Sequence, residues 1–405
     1  MKILYLGTIC NIEDYQNEIK DYKVKPTVAP LVLETALVNG FWENEADIDI
    51  LTFPIFPTFG KCPKLFWGQK REKLDCGYEN VWLSAINITG LKQKSFEISS
   101  KYAIEKWIKE NEDEDKAILI YSIFEPIAKS VIKCARKYNI PCFAIVADLP
   151  RDMYNVGRIG RIKKILSDVY VKCTQKIQGL FDGYIYLSEP MKEVINPTAP
   201  YIVMEGVADI SNVSEPHIDE KYNKRVIMYA GTLIKLFGLD KLIEAFEQIE
   251  NDELELWIFG SGEYAEEIKQ HSQKDKRIKF LGRKRREEIL EYEKKATLLV
   301  NVRNCNDEFT KYSFPSKTIE YMLSGTPVLT TELPGIPGEY FDYVFSIKDN
   351  NVETIKDKLS EILSQDDEQL IAIGKRAQEF IIENKSGYKQ AKKIIDFIEE
   401  NNFNK

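Results

Sequence analysis

Short apolar runs alternate with stretches of helical period almost from end to end of the chain, the pattern of repeated strand–helix units around mostly parallel sheets. In the first half the predicted strands are Lys2–Thr8, Asp47–Phe53, Ala117–Ile123, Pro141–Asp148, Gly183–Ser188 and Tyr201–Glu205. In the second half they are Val226–Thr232, Leu254–Gly260, Ile278–Gly282, Thr297–Val302, Pro327–Thr331 and Tyr343–Ile347. A last helix, about Tyr388–Asn401, carries Ala391, Ile394, Ile395 and Ile398 on one stripe suited to packing back on the body of the protein.

The alternation breaks once, over Glu205–Arg225, a polar stretch holding Gly206 and Pro216. With 405 residues the chain is long for a single core. The expected fold class is α/β, two doubly wound Rossmann-like domains facing across a cleft. Residues 1–204 are the first domain, 205–385 the second, and 386–405 a helix returning toward the first. Ligands in such sheets bind beyond the carboxyl ends of the strands.

Composition adds little to that picture but removes several function classes. Apolar residues make up 44% and charged residues 30%, as in soluble globular proteins. The net charge of -8 argues against a dedicated nucleic-acid binder. The start, Met1-Lys-Ile-Leu-Tyr-Leu-Gly7, is too briefly apolar for a signal peptide, and no run reaches membrane-spanning length, so a cytoplasmic protein is expected. Seven cysteines without a CxxC pair suggest buried thiols rather than a disulfide or zinc framework. His217 and His271 are the only histidines, which disfavours a His-based triad or metal centre.

The candidate chemistry lies in the second half. Tyr312-Ser-Phe-Pro-Ser-Lys-Thr-Ile-Glu320 reads as a loop that delivers Ser316, Lys317 and Thr318 to the first turn of a helix carrying Glu320. Free helix N–H groups, hydroxyls and an ammonium suit a diphosphate, and a carboxylate one turn in suits a ribose diol. Glu320 also reads as a plain i,i+3 partner of Lys317. Upstream, strand Val226–Ala230 ends in Gly231-Thr232, with Lys235 in reach of the same anion. The next strand ends at Gly260-Ser-Gly262, and the one after at Arg283, a place to read a nucleobase edge or simply an exposed side chain.

These signatures, in this order and closing on Gly325-Thr-Pro-Val328, resemble the GT-B glycosyltransferases of the large retaining family that builds bacterial polysaccharides, capsular and exopolysaccharide enzymes in particular. The resemblance implies that Glu320 binds the ribose. It implies that Gly231, Thr232, Ser316, Lys317 and Thr318 hold the diphosphate of a nucleotide-sugar, which is donor substrate rather than cofactor. Two departures stand out. The arginine and lysine that the family usually carries near the first glycine are Thr232 and Phe237 here, leaving Lys235 and Lys317 to neutralise the diphosphate; and the usual first carboxylate is Tyr312, with Asp307 and Glu308 just upstream. No metal is expected, because helix N–H groups and lysines can stabilise the leaving group.

In the first half the loop after strand one lacks GxGxxG, which disfavours a dehydrogenase. The resemblance places Gly7 and Thr8 in the cleft. Asp148, at a strand end, is a candidate for stabilising the acceptor hydroxyl or the sugar cation, and equally an ordinary loop cap. Over 151–176 seven lysines and arginines face two aspartates, with Ile159, Ile162, Leu166, Val169, Tyr170 and Cys173 at helical spacing. That segment is either a helix docking on anionic membrane or one packed in the first domain with a solvated basic face. The expectation is a retaining transferase moving a sugar to a saccharide acceptor, lipid-linked in the membrane-peripheral reading, with Asp148, Lys235 and Glu320 as catalytic candidates. The alternatives are a nucleotide-sugar epimerase and a non-catalytic nucleotide-sugar-binding partner subunit.

Overall fold

The structure of the protein, a computed structural model, describes residues 1–20, 22, 29–53, 56–149, 161–210, 213 and 224–402. The chain divides into two compact units: Met1–Val207 together with Gly387–Lys405, and Ala208–Ser386.

The first unit holds β1 (Lys2–Gly7), β2 (Ile48–Thr52), β3 (Phe66–Trp67), β4 (Arg71–Lys73), β5 (Glu79–Trp82), β6 (Ala85–Ile86), β7 (Lys116–Tyr121), β8 (Cys142–Val146), β9 (Gly183–Tyr186) and β10 (Tyr201–Val203). Eight of them form one sheet in the order β10-β9-β8-β7-β1-β2-β5-β4, while β3 and β6 make a separate antiparallel pair. Only the β4–β5 edge of the large sheet is antiparallel. All five residues of β8 are buried, because both faces of a parallel sheet are covered, and the strand therefore reads as an unbroken apolar run. The chain builds outward from β1 through β2, then returns to place β7 on the other side of β1, so the switch point lies between β1 and β7.

The last helix, Gly387–Asn402, belongs to this unit and packs along the helix Ala29–Glu43. Two glycines permit the approach: a Cβ on Gly40 would lie 2.0 Å from the Gly387 carbonyl oxygen, and one on Gly387 would lie 2.4 Å from that of Ala36. Phe397 then sits edge-on to Phe143 of β8, and Gln390 donates to the Gly206 carbonyl at 2.9 Å.

The second unit is a six-stranded, all-parallel sheet of β11 (Arg225–Thr232), β12 (Leu254–Ser261), β13 (Ile278–Gly282), β14 (Leu298–Asn301), β15 (Val328–Thr331) and β16 (Phe345–Ile347), ordered β13-β12-β11-β14-β15-β16. Side chains of β11 alternate between two cores. Ile227 and Tyr229 join Leu242, Phe246, Ile355 and Leu359 on one face; Met228 and Ala230 join Tyr321, Met322, Tyr340 and Ile381 on the other. The switch point lies between β11 and β14.

The twelve strands expected from hydrophobic pattern are all present, their ends shifted by no more than two residues. The strands not foreseen are β3 to β6, which at two to four residues are too short for a hydrophobic period to show.

Candidate active site

At the switch point of the second unit, β11 pairs with β12 as far as Thr232 but with β14 only at Ile227 and Met228. Beyond Met228 the inner edge of β11 has lost its strand partner. Tyr321, from the helix Ser316–Leu323, takes over: its hydroxyl accepts the Ala230 N–H at 2.8 Å and donates to the Ala230 carbonyl at 3.1 Å. One fully buried phenol thus satisfies both backbone groups and fixes the helix against the end of β11.

That helix starts directly after Pro315, and no side chain caps it, so its first turn offers backbone donors. Ser316 is exposed at the tip, whereas the Thr318 hydroxyl is buried and finds no partner among the described residues. Lys317 Nζ lies 3.1 Å from Glu320 Oε1, and the other oxygen of Glu320 is 3.9 Å from Arg286 Nε. A Cβ on Gly231 would stand 3.0 Å from the Tyr229 hydroxyl and 3.1 Å from Lys317 Cε. The missing side chain therefore leaves room for the lysine stem to lie against the strand end. Gly231, Lys317 and Glu320 are brought together.

Other sequence candidates are placed differently. Thr232 is exposed beside Gly231. Gly260 (φ 130°) and Gly262 provide close packing: a Cβ on the first would meet the Gly231 carbonyl oxygen at 1.8 Å, and on the second that of Leu233 at 2.2 Å. They shape the turn after β11 from behind. Lys235 is exposed, its ammonium 2.7 Å from Glu267 and over the Tyr264 ring. Its ion-pair partner is thus Glu267 of the helix Ala265–Lys274. Arg283 is exposed just past β13.

Three charged residues of this region carried no signal in the sequence pattern. Arg286 opens the helix Arg286–Lys295 and faces Glu320. Glu293, on the same helix, is fully buried; no donor side chain among the described residues reaches its carboxyl oxygens, and its neighbour is the Glu320 carboxyl, with which it shares a hydrogen bond when protonated. Burial first, then the neighbouring Glu320, hold its pKa well above the carboxylate range, against the pull of Lys317 and Arg286. Arg303, two residues beyond β14, lays its guanidinium over the Phe237 ring at 4.1 Å and donates from Nε to Asn301 Oδ1 at 3.2 Å.

In the first unit, Gly7 ends β1 and Thr8 follows it, both buried. The Thr8 N–H bonds both oxygens of Glu34 (3.0 and 2.9 Å), the Thr8 hydroxyl bonds the same carboxyl, and the Tyr5 hydroxyl bonds it at 2.9 Å. A Cβ on Gly7 would fall 2.0 Å from Glu34 Oε2, so the glycine is what admits this acid. Burial pushes the Glu34 pKa up to about 7 although the bonds from Thr8 and Tyr5 pull the other way. Asp148 is exposed two residues past β8. The buried Tyr121 at the end of β7 has its pKa raised by burial, then by Glu34 and Asp148. Gly7, Thr8 and Asp148 thus share the carboxyl-end region of this sheet.

Residues 214–380 match the family described as Glycosyl transferases group 1. No curated protein matches the chain in sequence. Among solved structures, the chain is similar to sucrose-phosphate synthase from Thermosynechococcus elongatus (13% identity, 99% of each chain covered, TM-score 0.61). It is similar to Anabaena HepE in complex with UDP (14% identity, 99% of this chain and 100% of that one, TM-score 0.63). It is also similar to the lipopolysaccharide outer core galactosyltransferase WaaB (15% identity, 99% of each chain, TM-score 0.61). At such identities these likenesses speak for the GT-B fold, and the family match speaks for the activity. The chain carries a domain of the glycosyl transferases group 1 family, and it is a glycosyltransferase.

Proposed function

We propose that the protein moves a sugar from a nucleoside-diphosphate sugar to a saccharide acceptor, lipid-linked and destined for a surface polysaccharide, with retention of anomeric configuration. The reading is carried by one observation: the Lys317–Glu320 pair in the first turns of an uncapped helix, beside Gly231 at the sheet's switch point. The diphosphate would sit against the first-turn N–H groups. Glu320 would accept from the ribose hydroxyls, which frees Lys317 from its ion pair to face the phosphates. As the bond from anomeric carbon to diphosphate breaks, negative charge grows on the leaving oxygens, and donors already in place stabilise it without reorganising. Removing one such donor costs about 100-fold or more in turnover. UDP bound to the similar HepE structure supports a nucleoside diphosphate as the ligand class. In the first unit, Asp148 and the Thr8 loop are the candidates for the acceptor side.

Incubation of the purified protein with a panel of nucleotide-sugars, following slow hydrolysis, tests this. Release of free sugar, strongly reduced in Glu320→Ala, is expected. Formation of a different nucleotide-sugar, or no binding of any panel member, contradicts it.

Contact with membrane is a separable part of the reading. Among the described residues no helix is long and apolar enough to cross a bilayer. The helix Arg161–Ile177 exposes Val169, while Arg151, Arg158 and Ile159 lie outside the described residues, as do the side chains of Arg161, Ile162, Lys163, Lys164, Leu166 and Tyr170. Sedimentation with anionic vesicles that fades with rising salt supports docking by this segment. Binding indifferent to anionic lipid, or no binding at all, removes it.

A further inference from the structure

The sequence leaves a shortage of positive charge where the diphosphate is proposed to sit, and Lys235, the cation expected to help, is turned to Glu267. Arg303 stands on the other side of the same strand end. It follows β14, the strand across the switch point from β11, and its Nε is held by Asn301. Its guanidinium carbon lies 4.1 Å from the ring centroid of Phe237, the residue that occupies the place of a lysine in the resembling family. Stacking on a ring orients a guanidinium without consuming its outer N–H donors.

Those outer donors have no acceptor, and the guanidinium has no carboxylate partner, among the described residues. The neighbouring Asn301 amide nitrogen, also buried, likewise finds no acceptor there. This strand end is therefore rich in donors and short of acceptor oxygens. The titratable groups that act on the guanidinium are the Tyr229 and Tyr321 phenols, both kept protonated by burial. Tyr229 is also the residue whose hydroxyl lies beside Gly231, next to the Lys317 stem, and Tyr321 has the Lys317 ammonium over its ring. Arg303 and Lys317 thus neighbour the same pair of tyrosines. Burial lowers the pKa of Arg303, a cost that a bound anion would relieve.

We propose that Arg303, levelled by Phe237 and tethered by Asn301, is the second cation of the diphosphate site, binding the phosphate oxygens of the donor and the leaving group opposite Lys317. This rests on the nucleotide-sugar reading above and adds a residue to it. A planar two-donor fork is suited to phosphate oxygens, where charge-assisted bonds are the strong ones.

The test is binding of nucleoside diphosphates (UDP, GDP, ADP, CDP, dTDP) by calorimetry, with the parent nucleoside of whichever binds as the control ligand. Arg303→Gln should weaken the diphosphate by about tenfold or more, equal to about 1.4 kcal/mol, and leave the nucleoside within about twofold. Arg303→Lys should recover part of the loss. Phe237→Leu, which keeps the charge and removes the platform, should give a smaller loss of the same kind. In slow hydrolysis of the matching nucleotide-sugar, kcat should fall in Arg303→Gln as well as affinity.

A merely structural arginine would weaken nucleoside and diphosphate alike, and that result overturns the proposal, as does unchanged diphosphate binding. If Arg303→Gln fails to fold, Phe237→Leu and Arg303→Lys still decide, since equal ratios of diphosphate to nucleoside affinity in both and in the unaltered protein overturn it. If the unaltered protein binds none of the five diphosphates, the functional reading itself is overturned, and this inference with it.

Discussion

Replacing Glu34 by glutamine should remove a pH-dependent loss of stability that can be sized from the structure. The carboxyl is fully buried and its pKa stands at about 7, against an ordinary value of 4.5. The folded protein therefore holds this proton more tightly than the unfolded chain does. Between these two pKa values the native state binds more protons, so stability falls as pH rises through the window and levels off above it. At 1.36 kcal/mol per pKa unit the full loss is about 3 kcal/mol, of which about 2 kcal/mol falls between pH ~5.5 and ~8. Glutamine is neutral throughout and can still accept from the Thr8 N–H, so its cost is set by one altered hydrogen bond, about 1 kcal/mol. Urea unfolding read by tryptophan emission suits the purpose, because Trp42, Trp67, Trp82 and Trp107 all lie in the first unit. The stability of Glu34→Gln relative to the unaltered protein should climb by about 2 kcal/mol across that range. Parallel pH curves for the two proteins would show that Glu34 does not hold a proton in this range.

Tyr321→Phe strips the only hydroxyl shown bonding the Ala230 N–H and carbonyl on that edge; a loss of about 1–3 kcal/mol in the second unit is expected, with faster hydrogen exchange at Ala230, and unchanged exchange would contradict the bracing role. Gly40→Ala forces a methyl to within 2.0 Å of the Gly387 carbonyl oxygen; about 1–3 kcal/mol of overpacking should free the last helix to limited proteolysis near residue 387, and a protease-resistant variant would show that the contact is soft. Glu293→Gln replaces a buried acid whose charged form is disfavoured by burial and by Glu320; the variant should gain thermal stability over the unaltered protein as pH is raised, and a constant difference would count against a protonated Glu293.

The sheets were legible in the sequence because their strands are buried on both faces and flanked by amphipathic helices. Hydrophobic period alone places β7, β8, β11 and β14. It is silent on β4, Arg71–Lys73, an edge strand with nothing apolar to bury. The Lys317–Glu320 pair was legible because helix period dictates i,i+3 contact. Lys235 was not, since nothing local reveals that Glu267 of the following strand–helix unit would take its charge. Nor could the Arg303–Phe237 stack be read, as it joins the ends of two strands that only the sheet order makes neighbours. Glu34 did leave a trace: a lone acid inside the apolar run Leu31-Val-Leu-Glu-Thr-Ala-Leu37, where a charge is tolerated only with partners such as Thr8 and Tyr5.

The proposed role of Glu320 is to receive the ribose of a bound nucleoside diphosphate. Calorimetric affinities of the best-binding nucleoside diphosphate and its 2′,3′-dideoxy analogue should be compared for the unaltered protein and Glu320→Ala. Loss of the two hydroxyls should cost the unaltered protein about tenfold or more, as for a charge-assisted hydrogen bond, and cost Glu320→Ala almost nothing. Equal affinity of the unaltered protein for both ligands, or the same discrimination retained in Glu320→Ala, would show that Glu320 does not hold the ribose.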